Sequence, residues 1–212
     1  MRPAAGFLDS LIGVADQGLR TVFAEPLAGR ASPAGGVEEA ALSGAEREES
    51  ARLLRVNRAG EIAAQALYSG QALFARDAAT RAQLERAAAE EVDHLVWCTE
   101  RLRELGGRPS RLDPLWYLGS ACIGALAGLA GDATSLGFVA ETERQVEAHI
   151  DDHLSRLPAA DAKSRAILRQ MAADESRHGS EATAAGGRPI REPVRTLMRL
   201  GGESLRRLAF RL

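Results

Sequence analysis

The sequence predicts an all-helical protein built on a four-helix bundle, with additional amphipathic and apolar helices outside it. Three observations carry that prediction. Aromatic residues make up only 4% of the 212-residue chain while Ala, Leu, Arg and Glu abound, so strand-like runs are hard to find and 3.6-period stretches are easy. Capping signals open and close those stretches. One phrase occurs twice at hairpin spacing: Glu61, then Glu91 with His94; and Glu143, then Glu175 with His178, the gaps being 30 and 32 residues. A chain of this length can bury one sizeable core as a single domain.

In chain order, residues 6–23 place Phe7, Leu11, Val14, Leu19 and Val22 on roughly one helical face, which could lie on a membrane or pack on the core. Asp9 and Asp16 interrupt this stretch too early for a signal-peptide apolar region, so neither cleavage nor export is expected. Residues 24–42, with Pro26, Gly29, Pro33, Gly35 and Gly36, read as a flexible linker that completes an N-terminal segment 1–42. Ser43 followed by Glu46 is a capping box and opens a helix running to about Phe74. A second helix spans about Thr80 to Leu105 and stops at Gly106-Gly107, after which Asp113-Pro114 offers an N-cap and a first-turn proline. The bundle is expected to occupy residues 43–187.

Residues 114–131 hold 18 positions without a charge, bracketed by Asp113 and Asp132. Ser120, Gly124 and Gly128 form a small-xxx-small row that lets another helix approach closely. A membrane span is disfavoured, since Asp132 at mid-bilayer costs about 2.5 to 3.5 kcal/mol and the run carries four glycines. Burial in the core and partial insertion into a membrane surface are the two readings left. The next helix, about Thr134 to Leu157, carries Glu141, Glu143, Glu147, His149 and His153; Asp161 caps another that runs to about Ala185 and ends at Gly186-Gly187. Residues 188–212 hold seven arginines against two glutamates, a local charge of +5, interleaved with apolar residues. They read as a basic amphipathic helix attracted to anionic lipid, or as a solvated helix packed on the bundle.

Charge and cysteine content narrow the class. A net charge of −2 argues against a nucleic-acid binder. Cys98 and Cys122 lack Cys-x-x-Cys spacing, so no disulfide framework is implied and a reducing cytoplasmic setting fits.

The doubled phrase is the ligand count of a carboxylate-bridged di-iron site in a ferritin-like bundle: one Glu from each of two helices and a Glu-x-x-His from each of the others. Of the four histidines, two carry Glu at i−3; that pattern arises by chance with a probability of roughly 4%. Iron that must bind dioxygen is suited by anionic oxygen ligands able to bridge two metals, with one imidazole each. Glu141 and Glu143 are two apart and cannot share a helix face; Glu143 is preferred because Glu147 and Ile150 continue its face. Glu90, Asp93, Asp174 and His149 stand near enough to orient the imidazoles. Tyr68, seven residues after Glu61, either lines a substrate pocket or fills the core.

The stretch Arg55-Val-Asn-Arg-Ala-Gly-Glu61, the phrase Tyr68-Ser-Gly-Gln71, Glu91-Val-Asp-His94, the Glu143 to His149 interval and Glu175-Ser-Arg-His178 together resemble the demethoxyubiquinone hydroxylases. The resemblance covers about Ser43 to Leu212. It implies a ferritin-like di-iron monooxygenase whose two iron ions are held by Glu61, Glu91, His94, Glu143, Glu175 and His178, the catalytic set. It further implies O2 as oxidant, NADH as electron source, a polyprenylated quinone substrate, and a peripheral place on the cytoplasmic face of the cell membrane. Association with other ubiquinone-biosynthesis proteins and a homo-oligomer are compatible with it. No Gly-x-Gly-x-x-Gly follows a strand-like run, so a dinucleotide-binding domain of the chain's own is not expected. Two other classes use part of these features: an iron-storage or peroxide-scavenging ferritin-like protein, which needs no uncharged segment or basic tail, and a membrane-associated scaffold, which needs no doubled metal phrase.

Overall fold

Two helical hairpins form the bundle. The computed structural model describes residues 6–24 and 26–212, apart from the side chains of Phe7 and Ser10; the first five residues of the N-terminal segment and the Phe7 ring on its expected face lie outside the described residues. Among the described residues there are seven helices and no strand. The first hairpin joins α2 (Gly44–Phe74) to α3 (Ala78–Glu104), the second joins α5 (Asp132–Arg156) to α6 (Ala162–Ala184), and α1 (Phe7–Phe23), α4 (Asp113–Leu129) and α7 (Glu192–Arg211) lie against them. The expected capping box is formed, with the Glu46 N–H donating to Ser43 Oγ and the Glu46 carboxylate accepting from the Ser43 N–H at 2.8 Å. Asp161 accepts from the Ser164 N–H at 2.9 Å and opens α6 as expected.

Asp113 is a correction. The N-cap of α4 is Leu112, without a side-chain cap, and Asp113 is the first helical residue, buried against the Arg58 guanidinium of α2. A buried guanidinium left without its counter-charge is far costlier than a missing cap, so the carboxylate turns inward.

Helix α4, without a charge after Asp113, fills the crossover between the hairpins and lies along α2. The small-residue row performs the expected function: a Cβ on Gly124 would come within 2.0 Å of the Leu67 carbonyl oxygen, and one on Gly70 within 2.3 Å of that of Ala121. Its outer face keeps Leu115, Leu118, Ile123, Leu126 and Leu129 exposed. Among the described residues no helix is long and apolar enough to cross a membrane.

Helix α1 splits its expected face: Val14 and Val22 are half-buried, whereas Leu11 and Leu19 are exposed together with Leu8, Ile12 and Phe23. The Tyr117 hydroxyl donates to the Val14 carbonyl at 3.0 Å and Thr21 pairs with Gln65, which fixes α1 on α2 and α4. Residues 26–42, expected as a linker, have no regular element yet are fastened to the bundle. Ala28, Ala34 and Leu42 pack on the core, and Arg30 and Glu39 form ion pairs with α3 and α6. Helix α7 buries Ala209 and packs Leu205 and Phe210, leaving Val194, Leu197, Leu200 and Leu208 exposed.

Two apolar layers fill the bundle. Leu53, Leu54, Trp97, Leu102, Ile150 and Leu168 belong to one, and Leu67, Tyr68, Leu84, Leu136 and Val139 to the other. Burial of each such side chain contributes about 1.5 to 3 kcal/mol. Between them, at mid-helix on all four bundle helices, lies a polar layer.

Candidate metal centre

Glu61 of α2, Glu91 and His94 of α3, Glu143 of α5, and Glu175 and His178 of α6 make up the polar layer, every one of them buried. The i,i+3 spacing of each Glu-x-x-His puts its two side chains on one helix face, and the apolar residues a turn above and below turn that face inward. The six fall into two overlapping groups whose ligand atoms lie within 4.8 Å of one another: Glu61, Glu91, His94 and Glu175; and Glu91, Glu143, Glu175 and His178. Glu91 and Glu175 are common to both. His94 Nδ1 faces Glu91 at 2.9 Å, Glu175 at 3.2 Å and Glu61 at 3.4 Å. His178 Nδ1 faces Glu175 at 3.3 Å and Glu91 at 3.4 Å.

The outer nitrogens are held crosswise. Asp174, which precedes Glu175 on α6, meets Nε2 of His94 at 3.0 Å, and Glu90, which precedes Glu91 on α3, meets Nε2 of His178 at 3.2 Å. Each carboxylate stands at hydrogen-bonding distance from Nε2, so that Nδ1 points to the interior.

Four carboxylates in so small a volume are electrostatically costly on their own. Burial, with Glu91 and Glu175 alongside, raises the Glu61 carboxyl well above its usual range despite His94, and burial with Glu175 alongside does the same to Glu143. Burial also opposes charge on Glu91, but the two imidazoles outweigh it and hold that carboxylate ionised. His178 is pushed up to about 11 by Glu175 and Glu91 against the opposing effect of burial. Neither oxygen of Glu143 has a hydrogen-bond donor. This donor set, anionic, convergent and partly without donors of its own, suits a pair of multivalent cations.

Glu141 is only 9% exposed but turns the other way, pairing with Arg144 at 2.6 Å and accepting from Gln145 at 2.7 Å; the Arg144 hydrogen bond holds it down to about 2. Of the four residues expected to orient the imidazoles, Asp174 and Glu90 do so. Asp93 instead accepts from the Gly29 N–H and from Arg30 Nε, both at 2.6 Å, and His149 reaches Asn57 at 3.2 Å. Tyr68 is core, its hydroxyl without a partner. Arg30 was missed: it meets Asp174 at 2.9 Å from a Pro/Gly-rich stretch whose composition gives no positional signal.

A mostly apolar cavity of about 630 Å³ lies beside the polar layer, between α2, α4, α5 and α7. Gly60 and Thr142 on its wall are the chain neighbours of Glu61 and Glu143. Exposed Leu115, Ile123, Val194 and Leu197 also line it.

Hairpins joined by a helical crossover around buried Glu and His groups define a ferritin-like helical protein with a site able to hold metal. Residues 48–207 match the family model described as "Ubiquinone biosynthesis protein COQ7". The chain belongs to the COQ7 family. It is similar to the 3-demethoxyubiquinol 3-hydroxylase of Xanthomonas campestris pv. campestris (strain 8004), with 53% identity over 204 residues covering 96% of this chain and 94% of the relative. The proteins of the same name from Cupriavidus necator and Bordetella avium are each 54% identical, over 97% and 98% of this chain and 100% and 96% of the relatives.

Proposed function

We propose that this chain is a di-iron monooxygenase that hydroxylates the ring of a demethoxyubiquinol in ubiquinone biosynthesis, with O2 as oxidant and NADH as electron source. The observation that carries the reading is the pair of overlapping ligand groups sharing Glu91 and Glu175. Glu61 with His94 would hold one iron and Glu143 with His178 the other, with Glu91 and Glu175 within reach of both. Iron held there would supply dioxygen reduction, in which one oxygen atom goes to the ring and the other leaves as water with two electrons from NADH. Asp174 and Glu90 hold the imidazole rings with Nδ1 pointing inward. The cavity reaches Gly60 and Thr142, the chain neighbours of Glu61 and Glu143, and its apolar walls from α2, α4, α5 and α7 would exclude water and take the ring and first prenyl units.

A polyprenylated quinone stays in the bilayer, so the enzyme must come to it. The exposed leucines of α4 and α7 stand beside the cavity, and α7 adds arginines, which supports peripheral binding at the cytoplasmic face of the cell membrane. The test is anaerobic loading with iron(II), metal analysis, and turnover of a short-chain demethoxyubiquinol after oxygen is admitted. Two irons per chain and a hydroxylated product are expected, with both lost in Glu91→Ala and Glu175→Ala variants that stay folded. Full iron occupancy and activity in both variants would sink the assignment.

A further inference from the structure

The irregular segment before α2 brings Arg30 beside one histidine. Arg30 Nε donates to Asp93 of α3 at 2.6 Å and its terminal nitrogen donates to Asp174 of α6 at 2.9 Å, onto the same Oδ2 that holds His94 Nε2 at 3.0 Å. The guanidinium stacks over Trp97, its carbon 4.9 Å from the ring centroid, and the Trp97 ring lies 5.4 Å from that of His94. Backbone contacts fix the residue as well: the Gly29 N–H donates to Asp93 at 2.6 Å, and Trp97 Nε1 donates to the Arg30 carbonyl at 3.4 Å. A segment without secondary structure loses conformational entropy on being ordered, so contacts this numerous at one side chain mark a fixed position. They also span a weak seam, because α3 and α6 meet each other far less extensively than each meets its hairpin partner.

We infer that Arg30 is a positioning residue for the metal centre: by bridging Asp93 and Asp174 it fixes the carboxylate that orients His94 and sets the α3–α6 spacing across which Glu91 and Glu175 are shared. The planar guanidinium suits this because it donates to two carboxylates at once in fixed directions. The inference rests on the proposed metal site. Glu39 provides the control. It anchors the same segment to Arg101 of α3 at 2.7 Å, and Arg101 in turn pairs with Asp161 ahead of α6, so Glu39 fastens the segment without touching Asp174 or His94.

The experiment loads full-length protein with cobalt(II) alone and reads its affinity by chelator competition and its ligand geometry from the d–d bands. Arg30→Ala is expected to weaken cobalt(II) binding about tenfold or more and to change the d–d bands, as loss of an outer-shell partner does, while Glu39→Gln leaves both as in the wild type. Wild-type affinity and bands in Arg30→Ala, or an equal loss in Glu39→Gln, overturns the inference with the metal site intact. A wild-type protein that takes up no cobalt(II) removes the site itself, and this inference with it. Should Arg30→Ala fail to fold, Arg30→Lys decides, since it keeps the charge and loses the two-carboxylate fork: weakened binding supports the inference and unchanged binding overturns it.

Discussion

Two glutamates two residues apart on α5 have opposite fates, because successive positions turn by 100° and Glu141 therefore points about 200° from Glu143. Glu143→Ala is expected to cost bound metal and activity, while Glu141→Ala loses only partly exposed ion pairs, worth about 1 kcal/mol or less, and keeps the metal. Reversed outcomes in metal analysis would show the register to be wrong. Two histidines outside the polar layer oppose folding at acid pH. Asn57 donates to His153 Nδ1 at 3.0 Å and accepts from His149 Nε2 at 3.2 Å. Burial first, then neighbouring His153 and Arg206, hold His149 down to about 3; burial and Arg156 hold His153 down to about 4. Both folded values lie below the unfolded one near 6.5, so the unfolded chain binds more protons, and stability present above pH ~6.5 is lost as pH falls toward 4 and 3. Glu61 and Glu143, raised by burial, oppose this slope in the metal-free protein, so the pair is read by difference: urea denaturation from pH 7 to 4 should show the wild type losing stability relative to His153→Gln as pH falls, and parallel slopes would exclude the pair as a source. At this scale the ligands are legible in sequence because Glu-x-x-His is local. Asp113 was misread and Arg30 missed because their partners lie 55 and 144 positions away.

Helix boundaries were readable wherever a short-range signal marks them, as at Ser43 with Glu46 and at Asp161. What periodicity could not supply is which apolar residues a helix buries. Leu11 and Leu19 share a face with Val14 and Val22 by spacing and are nonetheless exposed, because α1 is fastened through Thr21, Val22 and Gly18 against Gln65 and Tyr117. The small-residue row on α4 was readable, though its partner helix was not. Gly124 faces the α2 backbone, so Gly124→Ala should displace α4 and lower stability by about 1 to 3 kcal/mol. Gly119→Ala on the same helix meets nothing within 4 Å and should be neutral or stabilising by about 0.5 to 1 kcal/mol. Thermal melts of the two variants measure the contrast; equal losses would show that close α2–α4 approach is not what Gly124 provides.

For the molecule as a whole, exposed apolar residues on α1, α4 and α7 accompany the arginines of α7. Replacing Leu118, Leu126 and Leu197 with Gln should reduce sedimentation with anionic vesicles while leaving metal content intact, and added salt should weaken the wild-type binding further. Vesicle binding that survives both treatments would place the attachment elsewhere. The crosswise pairing of Asp174 with His94 and Glu90 with His178 reaches further. Neither hairpin contains a finished half of the centre, since each imidazole is aimed by a carboxylate borrowed from the opposite hairpin and two carboxylates belong to both groups. A chain truncated after its first hairpin would therefore be blind to metal even if its helices formed. Ion capture must follow closure of the bundle, which makes a filled centre a report that the two halves of the chain have met in register.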